Sequence, residues 1–324
     1  MIPESRFQAE LSRTLDNTRL PLPGNRHQGK VRDSYTLGDR RILVTTDRIS
    51  AFDCVLGTIP FKGQVLNQIA AFWFDKTRDV APNHVIDLPD PNVMVVKECA
   101  QLPLEFIVRG YITGVTKTSA WFNYEKGVRN LCGNPLPNGL RKDQKLDRPI
   151  LTPTTKHEEH DRNISRDEAI REGLIAGDLF DAAAAMCFSL FKRGQEFAAT
   201  RGLILVDTKY EIGLRDGILT VSDEIHTPDS SRYWFADSYE SLFKAGQDQR
   251  KLDKEYVREW LAAQGFRGDG TPPALTDDVR VEAAKRYIQA YEQVTGLAFN
   301  VTDEPVADRM IRNLKAKGYL QSGK

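Results

Sequence analysis

Hydrophobic positions along the chain change period several times, and the clearest change lies near the middle. Leu203–Ile212 is rich in β-branched and aromatic residues, Asp216-Gly217 is a turn signal, and Ile218–Ile225 reads as a second strand. Side chains alternate along a strand, so Asp207, Lys209 and Glu211 share one face. Val206, Thr208, Tyr210 and Ile212 take the other. A two-residue loop would set Glu211 opposite Ser222 and turn Asp223 to the wrong face. A three-residue loop, Arg215-Asp216-Gly217, sets Lys209 opposite Asp223 with Glu211 diagonal to it, and this is the loop predicted. Further strands are expected at Asn92–Cys99 and Leu104–Ile112, joined by a short loop at Ala100–Pro103. Gly29–Tyr35 is expected to pair with Arg41–Thr46 across Leu37-Gly38-Asp39.

Helical spacing appears at about residues 4–15 and at Gln64–Val80, where Leu66, Ile69, Ala70 and Trp73 share a side. It returns at Ser119–Lys126 and in a short helix capped by Ser165. Asp178–Thr200 is a long helix ending at Gly202, which suits a left-handed cap. Asp253 is expected to cap a helix ending near Gly265, Thr276 opens one running to Gly296, and a last helix covers about Ala307–Lys317. Residues 127–164, rich in Pro, Asn, Gly and charge, read as a long excursion, functional or mobile. His157 and His160 lie there without the spacing of a zinc motif, so a solvated loop is the better reading. The class is α+β, with strands dominating before residue 112 and helices after it.

Composition narrows the function. The chain has 324 residues, 40% hydrophobic and 28% charged, enough for about two domains. Its formal net charge of zero argues against nucleic-acid or anionic-membrane binding. No apolar run approaches the roughly 20 residues of a membrane span, and the N-terminus has no signal-peptide core. Cys54, Cys99, Cys132 and Cys187 are isolated, which fits a reducing, cytoplasmic setting.

Lys209 and Glu211, with Asp223 and Glu224 returning on the second strand, suit a metal and phosphate site; a solvated sheet face is the ordinary alternative. Two close carboxylates repel unless a cation sits between them, and Mg²⁺ bound by one or two carboxylates plus substrate phosphates is the natural occupant. The loop Thr227–Arg232, including Asp229, Ser230 and Ser231, offers hydroxyls, backbone N–H groups and an arginine to a phosphate, or is a plain Pro-Asp turn. Arg109 interrupts an apolar run, so it must be paired or bind an anion. Gly24–Val31 nearly matches a Walker A loop but ends in Val31, which cannot ligate Mg²⁺, and follows prolines instead of a strand. In the β-turn-β reading, Lys30 and Arg32 share a strand face that can lie over nucleotide phosphates. Thr46–Asp53 reads as an ordered polar loop, with buried carboxylate–arginine support as one explanation. The total is phosphoryl transfer or ATP-driven ligation, with a small-molecule kinase and a non-catalytic nucleotide-binding regulator as rivals.

Five segments carry a resemblance: Gly29–Asp33, Thr46–Ala51, Ile107–Gly114, Asp207–Glu211 and Asp223–Trp234. In this order, over roughly residues 25 to 295, they resemble the motifs of the SAICAR synthetase family, and the Thr-Pro-Thr-Thr-Lys156 insertion resembles its longer form. The resemblance implies an ATP-binding lobe of mostly antiparallel sheet and a larger α+β lobe, related to ATP-grasp and kinase architecture, with the nucleotide in the cleft. The corresponding division is 1–112 and 113–324. It implies ligation of L-aspartate to the carboxylate of 5-amino-1-(5-phosphoribosyl)imidazole-4-carboxylate (CAIR), with ATP consumed through an acyl phosphate.

By motif position, the resemblance places Gly29, Lys30 and Arg32 at ATP phosphates, and Lys97 and Glu105 near adenine and ribose. Glu211 and Asp223 would hold Mg²⁺, and Lys209 would meet the CAIR carboxylate. Arg109, Ser119 and Arg232 would bind the 5′-phosphate, with Asp229, Ser230 and Ser231 in the same substrate-binding loop. Val115–Thr118 is inserted before Ser119 relative to compact members of the family, which bears on the assignment of Ser119. Asp47, Arg48 and Ser50 are the candidates for the aspartate site.

Overall fold

The strand expected from Leu203 is longer than its apolar pattern suggests and forms the middle of the larger sheet. The computed structural model describes residues 2–22, 24–51, 54–156, 161–252, 255–266, 268 and 270–320. The expectations at Asp53, His157, His160 and Asp253 lie outside these residues.

In chain order the elements begin with α1 (Glu4–Glu10), β1 (Asn25–Gln28), β2 (Arg32–Leu37), β3 (Arg40–Thr45), β4 (Arg48–Ala51), β5 (Cys54–Thr58) and α2 (Lys62–Lys76). Then come β6 (Val85–Asp90), β7 (Val93–Lys97), β8 (Ala100–Ile112), α3 (Ala120–Glu125), β9 (Asn130–Leu131), β10 (Asn134–Pro135), β11 (Gln144–Leu151) and β12 (Thr154–Thr155). The remainder is α4 (Arg166–Arg171), α5 (Gly177–Ala199), β13 (Leu203–Arg215), β14 (Ile218–Ser222), β15 (Ser231–Phe235), α6 (Ala236–Ala245), α7 (Glu255–Ala263), α8 (Asp277–Thr295) and α9 (Val306–Ala316). The paired strands are antiparallel, as the α+β reading requires. Among the described residues no helix is long and apolar enough to cross a membrane.

Two compact units result, and neither is one continuous stretch. The first comprises 1–72, 84–98 and 252–324; the second comprises 73–83 and 99–251. A single boundary at 112/113 does not describe them, because α8 and α9 rejoin the N-terminal strands.

The first unit contains the sheet β1-β2-β3-β7-β6. Gly38-Asp39 alone joins β2 to β3, and Gly38 is left-handed. Tyr35, Ile42, Val44, Val93 and Val95 form a core with Met310 and Leu314, which are one helical turn apart on α9. Beside them the buried Arg309 donates to both carboxylate oxygens of Asp90 and to Asn92 Oδ1. Gly29–Val31 departs from expectation: these residues form the turn between β1 and β2, closed by Gly29 N–H donating to the Arg32 carbonyl. Lys30 is therefore on the turn and Arg32 opens a strand. Part of the Thr46–Asp53 loop is also strand, since β4 pairs with β5.

The second unit contains the sheet β11-β8-β13-β14, with β12 added to β8 and β15 added to β13. The segment expected as a loop at Ala100–Pro103 belongs to β8. The strands slip there, with Glu211 opposite Glu105 and Gly213 opposite Gln101. Pro103, lacking an N–H to donate, occupies the slip. Parts of the 127–164 excursion are strand, as β9, β10, β11 and β12. Ser165 caps α4 through a reciprocal bond with Glu168, as expected.

The hairpin corrects the predicted register. Arg215 pairs with Ile218 and Glu211 with Ser222, so the loop has two residues, both left-handed: Asp216 at φ 53° and Gly217 at φ 76°. Aspartate tolerates that conformation, and the resulting turn matches the strand twist. The second strand ends at Ser222, short of the expected Ile225.

Helix α5 covers one face of this sheet. Phe180, Ala183, Cys187, Leu190, Phe191 and Gly194 are buried along one stripe of it. Phe106 meets Phe180, and Tyr210 donates to or accepts from His226 at 2.6 Å. A methyl group on Gly194 would lie 2.5 Å from His226 Cε1 and 2.6 Å from Leu205 Cδ2. Overpacking of this kind costs about 1–3 kcal/mol, against about 1 kcal/mol gained in helix propensity. Gly194→Ala is therefore expected to lower the urea midpoint of unfolding; a raised midpoint would contradict this packing.

Candidate active site

The sheet face turned away from α5 carries charge in ordered rows. On β13 and β8, Asp207 lies opposite Arg109, Lys209 opposite Ile107 and Glu211 opposite Glu105. β15 adds Arg232 opposite Asp207. Directly opposed residues share a face, so strand alternation gathers all of these groups on one surface.

At one end the rows form an arginine corner. Asp207 Oδ2 accepts from Arg109 at 3.3 Å and from Arg232 at 2.5 Å. Arg109 also donates to Thr152 Oγ1 at 2.7 Å and to the Thr118 carbonyl at 3.1 Å. Burial pulls the Arg109 guanidinium down from its ordinary range, and Asp207 partly offsets this. Ser119 joins the corner through Gly114, which has φ 95°. A methyl group on Gly114 would lie 2.5 Å from Ser119 Oγ and 2.9 Å from an Arg232 nitrogen. Only a residue without Cβ lets these groups approach one another there. The Val115–Thr118 insertion thus still delivers Ser119 beside Arg109 and Arg232. Two guanidinium groups near a hydroxyl can hold a planar or tetrahedral anion through forked hydrogen bonds.

At the other end lies a carboxylate–ammonium cluster. Lys209 Nζ donates to Glu105 Oε1 at 2.7 Å and to Glu211 Oε1 at 2.8 Å. Lys156 pairs with Glu211 Oε2, and Thr154 Oγ1 donates to Glu105 Oε2 at 3.4 Å. Burial alone would lower the Lys209 pKa; Glu211, Glu105 and Asp223 reverse that and hold it well above the ordinary lysine range. Burial pushes Glu211 up, but Lys209 and Lys156 overcome it and keep its carboxyl well below the ordinary range. Asp223 is left-handed at φ 59° and follows the last paired residue of β14. Strand alternation no longer governs it, so the two-residue hairpin does not remove it from Lys209's electrostatic neighbourhood.

The segment after β11 runs along these groups. Thr152 reaches Arg109, Thr154 reaches Glu105 and Lys156 reaches Glu211, every second residue. These contacts were not anticipated, nor was Asp207 as the link between the arginines. The period-two pattern of Thr-Pro-Thr-Thr-Lys was the available signal.

Carboxylate oxygens suit Mg²⁺, and Glu211 and Asp223 are of the right type. Among the described residues no group of three His, Cys, Asp or Glu side chains is gathered for a metal. A metal here would take most of its ligands from phosphate and water, as Mg²⁺ commonly does.

The loop between β14 and β15 is less open than its composition suggests. Thr227 is buried and donates to Glu224 at 2.6 Å. Ser231 points toward α5, donating to Thr208 at 2.7 Å, so its side chain leaves the charged face. Ser230 and Asp229 are half-buried in the intervening turn. His226, wholly buried, has its pKa lowered to about 3 by burial.

In the first unit, Arg48 is a support. Its guanidinium donates to the Lys30 and Gly29 carbonyls at 3.2 and 3.0 Å, to Asp33 at 2.6 Å and to the Asp16 carbonyl. It thereby holds the turn that carries the exposed Lys30. Asp47 accepts from the backbone of Leu15 and Gly63, and burial raises its pKa to about 6. These contacts commit Asp47 and Arg48 to the backbone frame, while Ser50 is half-buried on β4. Lys97 is exposed at the end of β7.

Comparison with known proteins adds an independent line. Residues 25–273 match the family model described as SAICAR synthetase. A phosphoribosylaminoimidazole-succinocarboxamide synthase of Legionella pneumophila (strain Paris) is 48% identical over 306 residues, covering 93% of this chain and 97% of that protein. The chloroplastic synthase of Arabidopsis thaliana is 49% identical over 311 residues, covering 94% of this chain and 76% of that protein. Among solved structures, the SAICAR synthase of Saccharomyces cerevisiae complexed with SAICAR has a TM-score of 0.76 and 32% identity, covering 88% of this chain and 99% of that one.

Proposed function

The chain belongs to the SAICAR synthetase family, and from that premise we propose that it joins L-aspartate to the carboxylate of CAIR at the expense of ATP. The single observation that carries the reading is the charged sheet face of the second unit. It puts an anion-binding arginine corner and a carboxylate–ammonium cluster on the same two strands. A phosphorylated carboxylate substrate needs both.

A carboxylate is a poor electrophile because it has no leaving group. Its oxygen attacks the γ-phosphorus of ATP, ADP departs, and an acyl phosphate forms. The aspartate amine then attacks the acyl carbon, phosphate leaves with the former carboxylate oxygen, and the nitrogen loses a proton. Arg109, Arg232 and Ser119 bind the 5′-phosphate and fix the ring's register. Lys209 meets the carboxylate end and offsets its charge. Lys30 and Arg32 take ATP phosphates, Gly29 allows close backbone approach, and Lys97 serves the base in this reading. Glu211 and Asp223 would hold Mg²⁺, which when bound neutralises charge on the phosphoryl group being transferred. In this reading Arg48 supports the Lys30 turn and Asp47 holds the Leu15 and Gly63 backbone, which leaves Ser50 as the aspartate-site candidate. The cytoplasm is the compartment in which this reading places the chain.

The test uses purified protein with ATP, Mg²⁺, CAIR and L-aspartate, each omitted in turn, with ADP and succinocarboxamide measured. Amide product requiring ATP, CAIR and aspartate is the expected result. ADP formation indifferent to aspartate, with no amide, would overturn ligation in favour of phosphoryl transfer to another acceptor.

A further inference from the structure

Glu105 departs from the place its motif position implies. Family position sets it near adenine and ribose, yet both of its oxygens are engaged on the charged face. Oε1 accepts from Lys209 Nζ at 2.7 Å and Oε2 from Thr154 Oγ1 at 3.4 Å. Its cross-strand neighbour is another carboxylate, Glu211. Like charges directly opposite each other are destabilising in a sheet, and Lys209, diagonal to Glu105 and on Glu211's own strand, relieves this pair.

The sharing has a consequence once Glu211 is read as a metal ligand. Its Oε1 is the oxygen now bonded to Lys209. A carboxylate oriented toward a divalent cation is a poorer partner for an ammonium, because cation and ammonium repel. Lysine is a point charge on a flexible stem, so its position depends on the partners that hold it. Of its two hydrogen-bond partners Glu105 is the one that remains, and Asp223, the other carboxylate acting on it, is itself read as a metal ligand. Ile107, directly opposite Lys209, supplies no polar contact. Arg109, two residues beyond it, is already bonded to Asp207, Thr152 and Thr118.

We propose that Glu105 is a positioning residue for Lys209: it keeps the ammonium aimed at the substrate carboxylate while Glu211 serves the metal, and it makes no contact with the base or sugar of the nucleotide. This rests on reading Lys209 as the group that meets the carboxylate. Threonine at 154 completes the arrangement by fixing the other Glu105 oxygen from β12.

The experiment is a double-mutant cycle on the full chain, with Glu105→Gln, Lys209→Met and both together. Steady-state kcat and KM for ATP are measured with CAIR and aspartate saturating, and ADP affinity is measured by calorimetry, which also reports on folding. Glu105→Gln is expected to lower kcat by about 10- to 100-fold, the scale of a misplaced reacting group. KM for ATP and the ADP dissociation constant should stay within about threefold of the parent, and the double variant should be no slower than Lys209→Met alone. An ADP affinity weakened tenfold or more with kcat retained, about 1.4 kcal/mol of lost binding, would identify a nucleotide contact and overturn the proposal. So would a double variant slowed by the full product of the two single effects. A Lys209→Met variant with parental turnover would instead overturn the reading of Lys209 itself, a result separate from either of these.

Discussion

Glu211→Gln is expected to lower turnover by about a thousandfold, the scale seen when a pre-organised charged contact to a transition state is removed. The substitution preserves shape and removes charge at the point where three demands meet. Glu211 bonds Lys209 through one oxygen and Lys156 through the other, and in the proposed site it is also a metal ligand. A neutral amide accepts from only one of the two ammonium groups and binds Mg²⁺ weakly. Residual activity should therefore need more Mg²⁺ than the parent enzyme. Both lysines are partly exposed, at 28% and 20%, so the stability loss should fall well short of that for an isolated buried charge. Turnover within tenfold of the parent, with unchanged Mg²⁺ dependence, would contradict the role given to Glu211.

The second large effect concerns the arginine corner. Arg232→Leu should raise KM for CAIR by about a hundredfold, near 3 kcal/mol, while kcat changes much less. The reason lies in the geometry around Asp207. One carboxylate now holds two guanidinium groups at 3.3 and 2.5 Å, leaving a net positive corner for the 5′-phosphate. Without Arg232, Asp207 neutralises Arg109, and the corner loses its surplus charge. Arg232→Lys restores charge without the planar fork and should fall between the two. An equal fall in kcat and kcat/KM for Arg232→Leu would place the residue at the reacting centre instead.

The features legible from the residues were those set by local rules. Alternation placed Asp207, Lys209 and Glu211 on one face, and the pairing with β8 bears that out. A lone arginine in an apolar run must find partners, and Arg109 bonds Asp207, Thr152 and the Thr118 carbonyl. The missed features follow from backbone choices or distant pairing. Asp216 and Asp223 both adopt left-handed conformations. The first shortens the hairpin loop and the second frees Asp223 from the strand's alternation, so two departures from the predicted geometry offset each other at Lys209. Ser231 looked like part of a phosphate loop because its neighbours are polar; as the first residue of β15 it takes the alternate face. Lys156 lies in a segment whose composition suggests a loop, and only pairing with β8, about fifty positions away, brings it to Glu211. The return of α9 to the N-terminal sheet depends on Arg309 finding Asp90 and Asn92, contacts that no local pattern encodes.

The family assignment does not favour the kinase alternative, and the chemistry separates the two sharply. A kinase leaves the transferred phosphoryl group on its acceptor, whereas a ligase returns it to solution carrying an oxygen from the substrate carboxylate. CAIR labelled with ¹⁸O in that carboxylate therefore provides the most direct test. Turnover with ATP and L-aspartate should release inorganic phosphate bearing one labelled oxygen per amide formed. Phosphate free of label alongside amide product would contradict the acyl phosphate route and the use proposed for this charged sheet face.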